Sequence, residues 1–209
     1  MNRKNRRAVR RALLGLMLTG AGAAPVWALT PPPVPTDLQV PAGFRLHLAG
    51  HAVGTQNYVC TLNPSGPSGP EIGWALYGPQ ATLVSADGQQ VMTHFLSPNP
   101  EEAGTPRPTW LHSRDSSRVW AKPVATSTDP AYVAADAIPW LKLETAGRAA
   151  GPKRGRRLAS TAYLQRLNTV GGKAPASGCA DDADVGKRAL VPYEADYFFY
   201  RAIQGQQLD

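Results

Sequence analysis

The amino-acid sequence predicts an all-β, single-domain protein, either a sandwich or a partly closed barrel of about eight or nine short strands with long Pro- and Gly-rich loops. Short runs of β-branched and aromatic residues recur between turn signals, and few stretches keep a 3.6-residue period beyond two turns. Proline and glycine, 20 residues each, separate these runs in clusters at 31–35, 64–70, 98–108 and 147–155. Many short strands joined by such turns are typical of sandwiches and barrels.

The N-terminal 28 residues predict an export signal. Six cations and no acid lie within residues 1–11, and an apolar stretch containing glycine follows and ends at Ala28. That stretch is shorter than the ~20 residues that a membrane-spanning helix needs. We therefore expect cleavage after Ala28. Export is expected by the general secretory route or, given Arg10-Arg11, by the twin-arginine route. The mature protein is expected in the periplasm or outside the cell.

The rest of the chain is expected to divide into a Pro-rich spacer at 29–37, one β-domain at 38–203 and a flexible tail at 204–209. The extended segments from which these eight or nine strands are predicted are 44–48, 56–60, 72–77, 81–85, 90–95, 109–111, 118–121, 138–143, 161–170 and 193–201.

Two hairpins and one short helix are predicted between these segments. Asp87-Gly88 separates two alternating runs, and this pair favours a two-residue turn in which both residues take positive φ. A second hairpin is expected to turn at 115–117. The helix candidate is 129–137, with Asp129 as the cap and Pro130 at the first helical position.

Charge argues against a nucleic-acid partner. The whole chain has a formal charge of +7, but six of its 22 Lys and Arg precede the predicted cut and all 15 Asp and Glu follow it. The mature chain thus has 16 cations against 15 anions, a net charge of +1. The basic character that would suggest nucleic acid leaves with the signal, and no integral membrane span is expected after cleavage.

The two cysteines, Cys60 and Cys179, predict one disulfide. In an oxidising compartment two cysteines in one chain usually pair. A reactive thiol or a copper ligand is the alternative, but neither cysteine has a His or a second Cys at motif spacing.

Several short motifs occur in order along the chain. They are Gln56-x-Tyr58-x-Cys60, Asp87-Gly88, His94, Pro108-Thr109-Trp110, Ile138-Pro139-Trp140-Leu141, the stretch 163–172, Ala174-Pro175, Gly178-Cys179, and Pro192-Tyr193 with Tyr197 and Tyr200. Together they resemble the exported bacterial and fungal family catalogued as domain of unknown function 3455, over roughly residues 38 to 201. The resemblance implies export and the β fold, and it implies no activity. A Pro-rich, acidic loop at 96–107 departs from the family's shorter connection and would alter the rim of any site formed by His94 and Trp110.

Among the four histidines, His94 is the candidate for catalysis. His47 and His51 would lie about 13 Å apart on a strand, too far to bind one ion, so no metal and no cofactor are expected. As a general base His94 needs a carboxylate partner, and Asp115 is the nearest by hairpin geometry. The alternative is a hydrogen-bonded core histidine. A serine-hydrolase elbow, Gly-x-Ser-x-Gly, is absent from the sequence.

Four further residues are candidates for binding. Arg166 and Asn168 share one face of their strand and would bind a carboxylate or sugar hydroxyls, unless Arg166 is a strut for loop carbonyls. Trp110 and Trp120 would stack on sugar rings, and at least one of them is expected to be exposed because cations flank that hairpin. The basic run 153–157 is a solvated loop or a contact for anionic polysaccharide or lipid headgroups.

These observations favour a non-catalytic binding or structural module of the periplasm or cell surface, with polysaccharide or another envelope component as its partner. The rival hypothesis is a hydrolase with a site around His94 and Asp115.

Overall fold

Eight strands account for most of residues 30–66 and 69–203, which are the residues that the computed structural model describes. They are β1 (Phe44–Gly66), β2 (Gly69–Val84), β3 (Gln90–Asn99), β4 (Thr105–His112), β5 (Arg118–Ser127), β6 (Trp140–Ala149), β7 (Tyr163–Gly171) and β8 (Arg188–Ala202). Each strand pairs antiparallel with the next, and β8 pairs with β1, so the sheet closes into a barrel. The predicted all-β class is confirmed. The predicted export signal and C-terminal tail lie outside the described residues.

β1 and β2 are longer than the sequence predicts. β1 is continuous where two strands, 44–48 and 56–60, are predicted, and β2 likewise joins 72–77 to 81–85. Two glycines in β1 explain the difference, because they mark close approach and not chain breaks. A Cβ at Gly54 would lie 2.1 Å from the Gln80 carbonyl oxygen, and one at Gly50 would lie 3.1 Å from the Leu83 Cβ.

The sequence predicts where the chain turns more accurately than it predicts the kind of turn. The β2–β3 hairpin turns at Asp87-Gly88 as predicted, but Gly88 takes positive φ (77°) and Asp87 does not, so the turn is not the predicted two-residue type. The helix predicted at 129–137 is wrong. Asp129 caps only a single turn, accepting hydrogen bonds from the N–H groups of Ala131 and Val133, both at 2.9 Å. Val133 is buried against the outer barrel wall, and the segment ends in a β-bridge between Ala137 and Gly172.

The segment 96–107 is an extended hairpin and not the predicted loop. β3 and β4 stay paired out to Asn99 and Thr105, and the tip is a 3-10 turn, Pro100–Glu102. Glu102 closes the tip by accepting from Arg107 Nε and Nη2, both at 2.8 Å. These bonds lower the Glu102 pKa to about 2.

The main core fills the barrel interior. On β8, the inward residues Tyr193, Ala195, Tyr197 and Phe199 are buried in it, while Phe198 between them faces outward. This alternation is the two-residue period of a strand.

A second, smaller cluster covers the outer wall where the N-terminal segment crosses it. Leu38, in the 3-10 turn Thr36–Leu38, is fully buried there with Phe198, and Val34 packs beside it. Gln165 Nε2 donates to the Leu38 carbonyl at 2.7 Å. The Pro-rich segment predicted as a spacer therefore packs on the barrel in part. No helix in the described ranges has the length and hydropathy needed to cross a membrane.

One end of the barrel is plugged by the loop 150–162 between β6 and β7. Leu158 of this loop is fully buried in the interior core. The loop is attached to the β4–β5 hairpin through Asp115, whose Oδ2 accepts from Arg157 N at 2.9 Å. Ser117 Oγ accepts from Leu158 N at 3.0 Å. The other end of the barrel is where the candidate site lies.

Replacement of Gly151 in this loop by alanine is expected to destabilise the fold by roughly 1–3 kcal/mol, because the added methyl group overpacks the junction. A Cβ at Gly151 would lie 1.7 Å from the Asp115 carbonyl oxygen. Gly73→Ala in β2 is the matched control, since a Cβ there meets nothing within 4 Å. Urea unfolding measures both, and equal midpoints for the two variants would contradict the plug assignment.

Candidate functional site

A cavity of about 170 Å³ lies within the end of the barrel opposite the Leu158 plug. Every strand contributes at least one residue to its lining. The apolar lining residues are Leu76, Pro79, Pro108, Pro123, Leu141 and Leu143. The polar and aromatic ones are Gln56, His94, Trp110, Arg166 and Tyr197. The cavity is thus the open end of the barrel, with an apolar wall and a small group of hydrogen-bonding side chains.

His94 and Trp110 form the aromatic floor of the cavity. They are cross-strand partners on β3 and β4, and their rings stack with centroids 4.1 Å apart and planes 9° apart. Tyr197 from β8 contacts both rings edge-on, with centroids at 5.1 Å and 5.3 Å. Three strands therefore fix the position of these rings before any ligand arrives.

His94 is a neutral imidazole in this setting. Burial lowers its pKa from 6.5 to about 3. Its Nδ1 lies 2.9 Å from the Thr109 carbonyl oxygen, so Nδ1 carries the proton and donates it in this hydrogen bond. Nε2 is then a hydrogen-bond acceptor, and no carboxylate contacts the ring within the described part of the chain.

Two buried N–H donors of the cavity lack acceptors. Gln56 Nε2 and Trp110 Nε1 have no hydrogen-bond partner among the described residues. Leaving a buried donor unpaired costs about 1–3 kcal/mol, so such groups are uncommon in a folded protein. Both residues line the same cavity, which makes a bound acceptor a direct way to satisfy them.

Arg166 adds an uncompensated positive charge. Its Nη2 and Nε donate to the Pro139 carbonyl at 2.8 Å and 3.3 Å, and none of the ion pairs in the described ranges includes it. Its charge also acts on His94 and Tyr197. Burial raises the Tyr197 pKa, so the phenol stays protonated. The cavity is therefore rich in donors and positive in sign.

A family model described as "Protein of unknown function (DUF3455)" matches residues 41–201. The chain belongs to this family. The resemblance found in the sequence is therefore confirmed, and the match includes both cysteines and every residue that lines the cavity. No curated protein and no solved structure matches the chain.

In this DUF3455 domain, three of the predicted site residues meet in one cavity. His94, Trp110 and Arg166 come from β3, β4 and β7 and share the open end of the barrel. Asp115, the predicted carboxylate partner of His94, lies at the plugged end. Its Oδ1 is 3.2 Å from Nδ1 of His112, so the structure does not bring Asp115 to His94.

The prediction that Asn168 shares a strand face with Arg166 is wrong. The pairing of β7 with β8 shifts between Leu167 and Val170, and Asn168 takes positive φ (51°) there. This β-bulge turns the side chain outward, where Asn168 Nδ2 donates to Asp196 Oδ2 at 2.8 Å.

The prediction of an exposed tryptophan at the β4–β5 hairpin is wrong. Trp110 is 1% exposed and Trp120 is 3% exposed. Trp120 donates through Nε1 to Ser97 Oγ at 2.9 Å, and the Arg118 guanidinium lies over its ring at 5.7 Å. Arg118, a cation predicted to keep the hairpin exposed to solvent, instead covers the Trp120 ring. Neither tryptophan therefore offers a surface on which sugar rings could stack.

His47 and His51 contact polar side chains of other elements, and His51 has a second carboxylate neighbour, Glu194 Oε2, at 3.5 Å from its Nε2. His47 Nε2 lies 3.1 Å from Thr161 Oγ1, and His51 Nδ1 lies 2.8 Å from Asp196 Oδ1. In 30–66 and 69–203, no three His, Cys, Asp or Glu side chains come together as a metal site would require.

Sequence reasoning missed Gln56 and Tyr197 as cavity residues. A signal for Gln56 was present, because it shares a strand face with Tyr58 and Cys60 and is thus a polar side chain at an inward position. No local pattern distinguishes Tyr197 from its neighbours, since its role depends on pairing with β1 and β7.

Proposed function

We propose that this DUF3455 domain is an exported, non-catalytic binding module that holds one small carboxylate in the open end of its barrel. The observation that carries the proposal is the pair of buried donors without acceptors, on β1 and β4, beside the Arg166 guanidinium of β7, which forms no ion pair among the described residues. Small closed barrels of eight strands commonly hold a single ligand at this place.

The size and lining of the cavity indicate a ring-sized ligand. An apolar cavity of about 150 Å³ is sufficient for benzene, and this one is about 170 Å³. The aliphatic wall formed by Leu141, Leu143 and the prolines suits the ring, while Arg166, Gln56 and Trp110 supply donors for a carboxylate. An envelope polysaccharide would fit this chemistry through a terminal acidic sugar and not through a surface stack of rings.

A binding role is favoured over hydrolysis by the state of His94. An efficient general base has a pKa near the working pH, whereas burial holds the His94 pKa at about 3. Its hydrogen-bond partner is the Thr109 carbonyl and not a carboxylate. In this setting the imidazole acts as a neutral ring that buttresses Trp110.

Benzoate is expected to bind the oxidised mature protein, and Arg166→Gln is expected to weaken binding at least tenfold. The physical reason is the loss of a charge-assisted hydrogen bond, worth about 1.5–3 kcal/mol. Titration calorimetry with benzoate, glucuronate and the neutral analogue benzamide measures both the affinity and the requirement for charge. Arg188→Gln, at the start of β8 and outside the cavity, is the matched control.

Equal affinity of benzoate for the wild type and for Arg166→Gln would contradict the proposed site. Hydrolysis of a carboxylic ester by the wild type, lost in His94→Phe, would instead support the hydrolase hypothesis.

A further inference from the structure

A second polar pocket, of about 200 Å³, lies at the plugged end of the barrel. Its basic lining residues come from the first and last strands and from the basic run of the 150–162 loop: His47, Arg156, Arg157 and Arg201. Ser160 adds a hydroxyl. β1 begins and β8 ends here, so this pocket is separate from the carboxylate cavity.

The arginines at this end form no salt bridge within the described residues. Arg45 and Arg201 are direct cross-strand partners on β1 and β8, an arrangement that is destabilising for like charges. None of the ion pairs formed within the described residues includes Arg45, Arg156, Arg157 or Arg201. Arg201 Nε is also buried without a hydrogen-bond partner. The fold thus holds a cluster of arginines together against their mutual repulsion.

We propose that this pocket binds a phosphate group, and that the bound phosphate neutralises the arginine cluster. Guanidinium groups match the tetrahedral oxyanion because they offer paired N–H donors in a fixed plane. Arg156 and Arg157 are exposed on the loop and Arg201 is half-buried on the barrel, so a phosphate between them would join the plug to the wall. The site is independent of the carboxylate cavity.

The pocket also contains a weakly basic histidine. Burial, together with the charges of Arg201 and Arg45, lowers the His47 pKa to about 4. His47 is therefore neutral at physiological pH, and the arginines carry the charge that would bind the anion.

The test compares inorganic phosphate with chloride of equal ionic strength on the oxidised protein, by thermal unfolding and calorimetry. Phosphate is expected to raise Tm with increasing concentration. Arg157→Gln and Arg201→Gln are each expected to weaken phosphate binding at least tenfold, while Arg188→Gln at the other end of β8 leaves it unchanged. Arg157→Gln keeps the backbone bond to Asp115, so it removes the charge without removing the plug.

A second readout separates a binding role from a merely structural one. In phosphate-free buffer Arg201→Gln is expected to unfold at the same temperature as the wild type or higher, because it removes the like-charge pair with Arg45. A lower Tm in that buffer together with an unchanged phosphate response would overturn the proposal. A wild-type Tm that responds equally to phosphate and chloride would also overturn the proposal, unless the protein binds the phosphatidate liposomes described next.

Sedimentation with phosphatidylcholine liposomes, with and without phosphatidate, distinguishes the source of the phosphate. Binding of inorganic phosphate alone assigns the pocket to a free ion, and Arg157-dependent binding only to phosphatidate liposomes assigns it to a lipid headgroup. No response in thermal unfolding, in calorimetry and in liposome sedimentation would overturn the phosphate site and leave the carboxylate proposal untouched.

Discussion

Replacing Cys60 and Cys179 together by serine is expected to lower the free energy of unfolding by about 4 to 5 kcal/mol. In the chain-entropy model, a disulfide that closes a loop of about 100 residues contributes this much by restricting the unfolded chain. The structure confirms the bridge, with the two Cα atoms 5.4 Å apart and a sequence separation of 119. Cys60 is fully buried, so the variant also places a serine hydroxyl at a buried position.

Guanidinium unfolding of the oxidised protein, the reduced protein and the double serine variant measures this effect. The reduced protein and the variant are expected to agree, because both lose the same constraint. Val53→Ser is a suitable control, since it places a serine at an exposed position of the same strand. Two free thiols in protein purified under oxidising conditions, detected by mass spectrometry without reduction, would show that the bridge does not form.

Loss of the disulfide is also expected to weaken ligand binding in the carboxylate cavity. The bridge ties down the connection from β7 to β8, which begins at Gly172. A Cβ at Gly172 would lie 3.2 Å from Gln56 Cγ, and the Gly172 carbonyl accepts from the Tyr58 hydroxyl at 2.7 Å. The same connection therefore packs against a cavity donor. We expect the reduced protein to bind benzoate more weakly than the oxidised protein under conditions where both are folded.

The sequence predicts those features whose causes are local or covalent. Asp87-Gly88 turns a hairpin because of its own backbone preferences, and two cysteines in one chain have only each other to pair with. The all-β class follows from the two-residue period and from β-branched composition. These features need no knowledge of which strands become neighbours.

The candidate site depends on strand neighbours, which the sequence does not specify. Arg166 meets His94 and Trp110 only because the barrel closes and turns β7 toward the same interior as β3 and β4. A single bulge reverses the expected orientation of Asn168, because one extra residue moves a side chain to the other face. Trp120 is buried, and its indole N–H donates to Ser97, which lies on a hairpin that the sequence predicts as a loop.

Gly50 and Gly54 show the same limit in the backbone. A glycine inside a strand pattern indicates either a break or a close approach, and the choice depends on the neighbouring strand. Here β2 passes so near to β1 that a side chain at Gly54 would meet the Gln80 carbonyl. The sequence therefore predicts interruptions where the structure has one uninterrupted strand.

Acidification from pH 6.5 to pH 4 is expected to remove about 3 kcal/mol of stability through His94 alone. The pKa of His94 falls from 6.5 to about 3 on folding, because burial disfavours the imidazolium. Above pH 6.5 both the folded and the unfolded ring are neutral, and the full stability is present. Between pH 6.5 and pH 3 only the unfolded ring binds a proton, so stability falls as pH falls, by about 1.4 kcal/mol per pH unit.

His94→Phe tests this assignment, because phenylalanine retains a ring beside Trp110 and cannot titrate. The variant is expected to be less stable at pH 7, where it loses the bond to the Thr109 carbonyl, and to show a shallower decline between pH 6.5 and pH 4. His47→Gln is the matched control, since His47 is a half-buried histidine whose pKa of about 4 gives it a similar window. Carboxylates such as Glu102, with its pKa lowered from 4.5 to about 2, lose their contribution only at lower pH. Urea unfolding in half-unit pH steps separates these contributions. If the free energy of unfolding of His94→Phe falls with pH as steeply as that of the wild type, the imidazole is not the buried neutral ring on which the binding proposal depends.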